Sequence, residues 1–252
     1  MKIKLLSIIT PVFNDLENLK KTFKSIHEAH KDTEHIIIDG NSNDGSFEFS
    51  KMLETKGIAR VFSQKSPTFY GAFNEGLEQA RGKHVIFLYC GDKLNIEKTL
   101  MLIKENSNFD IIAASCSQEL DHKKLIYLRS ERPEIDINTT SILHSSLIIK
   151  PASYNSVNFF DETLKVSADL DCVIKIIKTG AKVTYKDEII CHMEKYGVSN
   201  KKYFRKIIDH SIIKYRHVGF LSSLIYLPKR IFKDFILLPF WLYLKNIFSL
   251  EK

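Results

Sequence analysis

Apolar, β-branched runs alternate with helix-spaced stretches over the first 115 residues, and this alternation restricts the chain to one broad architecture. The runs occupy residues 5–10, 35–39, 59–62, 84–89 and 110–115. Leu16, Leu19, Phe23 and Ile26 fall at three- and four-residue spacing, which predicts a helix over residues 16–29. Residues 71–81 read as a second helix, with Gly82 as its C-cap. Repetition of this kind predicts an α/β fold, a mostly parallel sheet flanked by helices. Farther on, residues 141–150 read as a strand, 169–179 as a helix closed by Gly180, and 181–185 as a short strand. The charged segments 118–124 and 131–138 read as turns, and the pattern from Lys201 onward is helical and amphipathic.

A chain of 252 residues that is 44% hydrophobic can bury a full core. Its start, MKIKLLSIITPVFN, has a basic opening and a short apolar run, but Pro11 and Asn14 follow at once and no small-residue cleavage site appears, so it reads as a first strand. Cys90, Cys116, Cys172 and Cys191 have neither metal-ligand spacing nor the pattern of a disulfide framework, and the expected home is the reducing cytoplasm. Charge is unevenly placed. Residues 201–252 carry 11 of the 37 Lys/Arg but only 3 of the 30 Asp/Glu, and 11 of the 28 aromatic residues, while residues 1–200 are close to neutral.

In open α/β sheets ligands bind outside the carboxyl ends of the strands, so the residues that end the apolar runs are the first candidates for chemistry. The first run ends in TPVFN (Thr10 to Asn14), the second in DGNSNDGS (Asp39 to Ser46), and the fourth in CGD (Cys90 to Asp92). A carboxylate just past a buried strand can accept from a nucleobase or ribose, and another can hold a divalent cation against a diphosphate. Asp39 and Asp44 are equally open to a plain turn role, since Asp, Asn and Gly favour turns. Cys90 reads as a small apolar residue or a soft-metal ligand.

Taken in order, SIITPVFN, EHIIIDGNSNDGS and FYGAFNEGLEQARGKHVIFLYCGD resemble the successive signatures of family 2 glycosyltransferases, inverting enzymes of GT-A fold, especially bacterial members that build capsule, O-antigen and exopolysaccharide. The resemblance runs from Leu5 to about Asn200 and implies a catalytic domain over residues 1–200 with a C-terminal helical extension over 201–252. It implies that Pro11 and Phe13 border a uracil pocket, that Asp39 accepts from the base, and that Tyr70 and Asn74 lie on the helix flanking the donor. Asp92 stands at the final acid of the DXD-type motif that ligates Mn²⁺ or Mg²⁺. Asp169, in SADLDC, matches the catalytic base, Asp171 follows as a second acid, and YGVS (Tyr196 to Ser199) matches a loop after the base. His144 falls near the family's acceptor-side His-Gln pair, here His-Ser, and His192 is a further candidate on that side or near the diphosphate. The sequence departs from the pattern at Gly71, where an acid is usual, at Ser66-Pro67, where Asp-Lys is common, and at Cys90-Gly91, which lack the first acid of the metal motif.

The implied activity is transfer of a sugar from a UDP-sugar to a glycan or polyprenyl-diphosphate-linked acceptor. A non-catalytic nucleotide-sugar-binding subunit of the same fold is the alternative. A nucleotidyltransferase needs a glycine-rich basic loop after the first strand, and a dinucleotide oxidoreductase needs G-x-G-x-x-G there; residues 11–15 are neither. In the tail, Leu224, Leu227, Ile231, Phe235 and Leu238 recur at helical spacing with Lys229, Arg230 and Lys233 on another side. With Trp241 and Tyr243 as anchors this predicts an anionic membrane surface as partner and a place at the inner face of the cell membrane. A hairpin packed on the catalytic domain or a dimer interface is the competing reading. No nucleic-acid-binding motif accompanies the charge.

Overall fold

A computed structural model describes residues 4–26, 30–119, 125–130, 132, 142–194 and 203–232. The expected turns at 120–124 and 133–138, the segment Tyr196 to Ser199, and Lys233, Phe235, Leu238, Trp241 and Tyr243 lie outside the described residues. In chain order the elements are β1 (Leu6–Val12), α1 (Leu16–Ser25), β2 (Thr33–Asp39), α2 (Ser46–Thr55), β3 (Arg60–Ser63), α3 (Phe69–Gln79), β4 (His84–Phe87), β5 (Lys93–Leu94), α4 (Ile96–Glu105), β6 (Ile111–Glu119), β7 (Leu125–Leu128), β8 (Leu147–Ile149), α5 (Pro151–Asn155), α6 (Ala168–Lys178), β9 (Val183–Met193), α7 (Tyr203–His217) and α8 (Phe220–Phe232).

The described strands form one sheet in the order β3-β2-β1-β4-β8-β6-β9-β5, with β7 added to β6. Its first half is parallel, β1 pairing in register with both β2 and β4. Beyond β4 the sheet is mixed: β8 runs antiparallel to β4 and β6, whereas β9 runs parallel to β6. The near-continuous Val/Ile content of the first strands follows from burial on both faces. Ile9, Ile36, Ile38 and Phe87 pack with Tyr70 and Phe73 of α3, Tyr154 of α5 and Val173 of α6. On the other face Leu6, Ile8 and Ile86 meet Leu100, Leu102 and Ile103 of α4, and Val12 and Ile37 meet Leu19 and Phe23 of α1 and Leu53 of α2.

Several local expectations are revised. Helix α3 starts two residues before Gly71, capped by the Thr68 hydroxyl on Gly71 N, and ends at Gln79. Gly82 is therefore not its cap. A Cβ there would lie 2.6 Å from Ser7 N and 2.8 Å from Leu6 C, so the glycine lets the α3–β4 connection cross β1 at van der Waals contact. The segment 141–150 is not one strand: a 3-10 turn at His144–Ser146, held by Ser146 Oγ on Leu143 O and Ala114 O, precedes β8. The short strand at 181–185 extends to Met193, with irregular register against β6 between Ala113 and Cys116. Its far end pairs with β5, Lys93 opposite His192.

Candidate active site

Because β1 lies between β2 and β4, the crevice at the carboxyl ends of these strands collects the three acid-bearing loops. Asp44 is a turn residue: its Oδ1 accepts Ser46 N at 3.0 Å and its Oδ2 accepts Leu16 N at 2.9 Å, tying the β2 loop to α1. Asn14, at φ 49°, completes the tie by accepting Asn43 N at 2.8 Å. Asp39 differs. It is fully buried, its Oδ1 accepts Ser42 N at 2.8 Å, and its Oδ2 has no hydrogen-bond partner among the described residues. A buried acceptor in that condition is costly unless a ligand donates to it. Phe13, 65% exposed, and Gln64 Oε1 both close on Gly40, whose Cβ position would be 3.2 and 3.1 Å from them, so an aromatic face and an amide stand beside the Asp39 strand end. Pro11 lies in β1 opposite Ile38, its carbonyl 3.6 Å from Cys90 Sγ.

Asp92 follows Gly91, which adopts φ 96° and donates to Thr22 Oγ1 at 2.8 Å. Only 4% of Asp92 is exposed. Ser145 Oγ donates to its Oδ2 at 2.6 Å and Glu194 N to its Oδ1 at 2.9 Å. Burial pushes the carboxyl up to about 6 against those two bonds. Nearby, burial and then the charges of Asp15, Asp92, Asp39 and Asp44 drive the Cys90 thiol well above its ordinary value, which keeps it protonated. The same four carboxylates make this end of the crevice electronegative.

No group of three His, Cys, Asp or Glu able to hold a metal occurs among the described residues. A dedicated protein cage is thus absent there, but a site of the Mg²⁺ type, one carboxylate completed by substrate phosphates and water, suits Asp92. Among the described residues its desolvated charge has no cationic partner, which is the condition a bound cation relieves.

Asp169 opens α6. Its Oδ1 accepts Leu170 N at 2.9 Å and faces Tyr70 Oη at 3.2 Å, and burial pushes it up to about 6. Tyr89, two residues past β4, joins the two acids: burial first, then the charges of Asp169 and Asp92, hold its hydroxyl protonated. Neither Tyr89 nor Ser145 stands out in the sequence as chemistry. Tyr89 pairs with His144 Nδ1 at 2.9 Å, and His144 is buried on Phe87 (ring centroids 4.8 Å apart) and Phe73, its ring driven to about 3 by desolvation and therefore neutral. His144 thus supports Tyr89 from within the core and does not line open acceptor surface.

Tyr70 and Asn74 lie on α3 as expected, and His192 lies beside Asp92, whereas Asp171 is placed differently. Tyr70 and Asn74 turn toward the loop before α6: Tyr70 Oη donates to Val166 O at 2.7 Å, and Asn74 exchanges two 3.0 Å bonds with the Phe160 backbone. Asp171 is not an open second acid. Fully buried, it is held by Lys175 Nζ at 2.6 Å and His217 Nε2 at 2.9 Å, which outweigh burial and keep it below the ordinary carboxylate range. His192 sits where β9 meets β5, its Nδ1 3.1 Å from Ser117 Oγ, one register position from Asp92.

At Gly71, where the resemblance implies an acid, a Cβ would lie 2.1 Å from Ser66 Oγ. The acid arrives from elsewhere. Glu162 accepts Ser66 Oγ at 2.6 Å, Thr68 Oγ1 at 2.5 Å and Asn74 Nδ2 at 3.2 Å. Burial raises Glu162, but these bonds prevail and hold it ionised. Its sequence neighbours, DET, carry no signal of this role.

The strand order and the acids at its carboxyl edge define a GT-A glycosyltransferase fold. The chain belongs to glycosyl transferase family 2, which residues 7–142 match. Among solved structures it resembles S. aureus TarS 1–349 in complex with UDP (TM-score 0.64, 16% identity, 92% of this chain and 72% of that one). It also resembles the mannosyltransferase PcManGT from Pyrobaculum calidifontis in complex with GDP-Man and Mn²⁺ (TM-score 0.63, 16% identity, 88% and 72%). Similar sequences include an uncharacterised glycosyltransferase of Rickettsia typhi, 26% identical over 74% of this chain and 62% of that protein. Another is the cholesterol galactosyltransferase of Borreliella burgdorferi, 34% identical over 44% and 32%. The chain therefore spans less than two thirds of the length of these curated relatives.

Proposed function

We propose that this chain is an inverting glycosyltransferase that moves a sugar from a nucleoside-diphosphate sugar, read as a UDP-sugar, to a hydroxyl of a glycan or polyprenyl-diphosphate-linked acceptor in surface polysaccharide assembly. The observation that carries the reading is the pair Asp92 and Asp169, two carboxylates pushed up to about 6 by burial that both act on Tyr89. Asp169 is the base. As the acceptor oxygen bonds to the anomeric carbon, the carbon–phosphate oxygen bond breaks, the nucleoside diphosphate leaves with the electron pair, and the acceptor proton passes to Asp169. Asp92 would hold Mn²⁺ or Mg²⁺, which supplies charge stabilisation for the departing diphosphate. The unpaired Asp39 Oδ2 takes a donor hydrogen from the base, with Phe13 against the ring. Donor hydrolysis measured with and without Mn²⁺ separates this enzyme from a binding subunit, which gives no turnover in either condition.

Asp39→Ala is expected to raise the donor KM about tenfold with kcat within about threefold of wild type, because a base contact is the same in ground and transition states. Initial-rate kinetics over donor concentration check it, and a fall in kcat at unchanged KM contradicts the pocket assignment.

The α7–α8 hairpin supports a membrane-surface role for the tail. Phe220, Leu221 (71% exposed), Leu224 and Ile225 present apolar side chains to solvent on α8, in the segment that carries the excess positive charge. No helix among the described residues is long and apolar enough to cross a membrane. The full chain should sediment with anionic vesicles, weakening with salt, at about 1 kcal/mol per Lys or Arg near the surface. Leu221→Glu with Leu224→Glu should cut that binding about tenfold or more and leave the UDP-induced melting shift unchanged; undiminished sedimentation of the double variant removes this face from the surface contact.

A further inference from the structure

The geometry points to Asp209, in α7, as a positioning residue for the Asp169 loop. This rests on the reading of Asp169 as the base. Asp209 is fully buried, and its Oδ2 accepts three successive backbone N–H groups: Lys165 at 2.8 Å, Val166 at 2.7 Å and Ser167 at 3.2 Å. Those residues form the turn that delivers Ala168 and Asp169 into the first turn of α6. Charge-assisted bonds to a carboxylate are about twice as strong as neutral ones, and three converging on one oxygen fix the direction in which the chain enters the helix.

The turn is held from the opposite side as well. Tyr70 Oη donates to Val166 O at 2.7 Å and lies 3.2 Å from Asp169 itself. Helix α7 adds further ties to the same loop, Arg216 to Asp161 at 2.6 Å and Arg205 to Thr163 O at 3.3 Å, and Arg205 Nε lies 3.3 Å from Asp209 Oδ1. Within the same loop Glu162 reaches Ser66 and Thr68 at the start of α3. A helix beyond residue 200 thereby sets the atoms next to the base, and one continuous loop, 161–167, runs from the α3 side of the crevice to α7. Misplacement of a reacting group by about 1 Å can cost on the order of 10² in rate, so the carboxylate that fixes this turn acts on turnover without touching substrate.

The test is a cycle of full-length variants: Asp209→Asn, Asp169→Asn and both together, assayed for transfer and for UDP-induced melting shift. Asn keeps the shape and one acceptor but loses the charge. Asp209→Asn should lower kcat about tenfold or more with donor KM within about twofold, and the double variant should be no slower than Asp169→Asn alone, because both changes remove one function. Wild-type kcat in Asp209→Asn, a matching rise in donor KM, or losses that multiply in the double variant each overturn the proposal. If Asp169→Asn itself transfers at the wild-type rate, the base assignment fails and this proposal fails with it; if Asp169→Asn is inactive and Asp209→Asn is not impaired, only this proposal fails. A second measurement needs no variant: in the wild-type protein the amides of 165, 166 and 167 should exchange with solvent as slowly as helix amides, and exchange at open-loop rates overturns the clamp.

Discussion

Asp169→Asn should reduce transfer by at least about 10² while leaving donor KM and the UDP melting shift near wild type, since a general base acts on the acceptor hydroxyl and contributes little to nucleotide binding. Stability gives an independent readout. In the folded protein Asp169 titrates near 6, above its ordinary 3.8, so between those values the native state binds more protons than the unfolded chain. Native stability associated with this group is therefore full below about 3.8 and is lost as pH rises toward 6. The Asn variant does not suffer that loss, and it should melt above the wild type at pH 8 while the two converge near pH 4. Wild-type activity should show an acid limb near pH 6 as the base protonates. A variant that melts lower at pH 8 and transfers at full rate would place the proton-accepting group elsewhere.

The parallel half of the fold is legible because its strands are buried on both faces and leave unbroken runs such as Leu6–Val12 and His84–Phe87. What the reading leaves out has a physical cause in each instance. Helix α2, SFEFSKMLET, buries Ser46 and Ser50, whose hydroxyl is satisfied by Ser46 O, so its inner face is not an apolar stripe. The continuation of β9 past Tyr185 passes through charged residues that are exposed on this part of the strand, and the alternation expected of a half-buried strand is lost there. The tail is read from charge and apolar spacing, and those properties describe its outer face. Its inner face mixes the buried Ile207 and Ile213 with polar groups: Asp209, fully buried, joins α7 to the loop before α6, and His217 joins it to Asp171.

The candidate site divides along the same line. Asp39, Asp92 and Asp169 are visible because each ends a strand or begins a helix in a short motif. Glu162, Tyr89, Ser145 and Asp209 act through contacts 42 to 96 residues away in sequence, and no local pattern announces them. Gly71 is the instructive position. Lack of an acid there reads as a loss, yet the space a side chain needs is filled by Ser66, and Glu162 brings a carboxylate to the same helix start from ninety residues on. Asp171, by contrast, has the right spacing and the wrong face: two positions after Asp169 on a helix, it points toward α7 and is consumed by Lys175 and His217.

Asp92→Asn should lower transfer by about 10² or more and, unlike the Asp39 and Asp169 variants, should abolish the Mn²⁺-dependent part of the UDP melting shift. Asn preserves the volume and still offers an oxygen to Ser145 Oγ or Glu194 N, the two donors that fix Asp92, so the strand end keeps its shape and the change is one of charge. The direction of the metal-free result follows from the surroundings. Asp15, Asp39, Asp44 and Asp92 all act on Cys90, which means that a diphosphate entering this crevice without a cation meets negative charge. Removing one of the four should leave UDP binding in chelator unchanged or slightly tighter, while the gain on adding Mn²⁺, large in the wild type, should vanish. Melting shifts with UDP in chelator and in Mn²⁺ measure both limbs. If the variant keeps the full Mn²⁺ increment, the cation is held by other groups, and Asp92 is then a buried anchor for Ser145 and the end of β9.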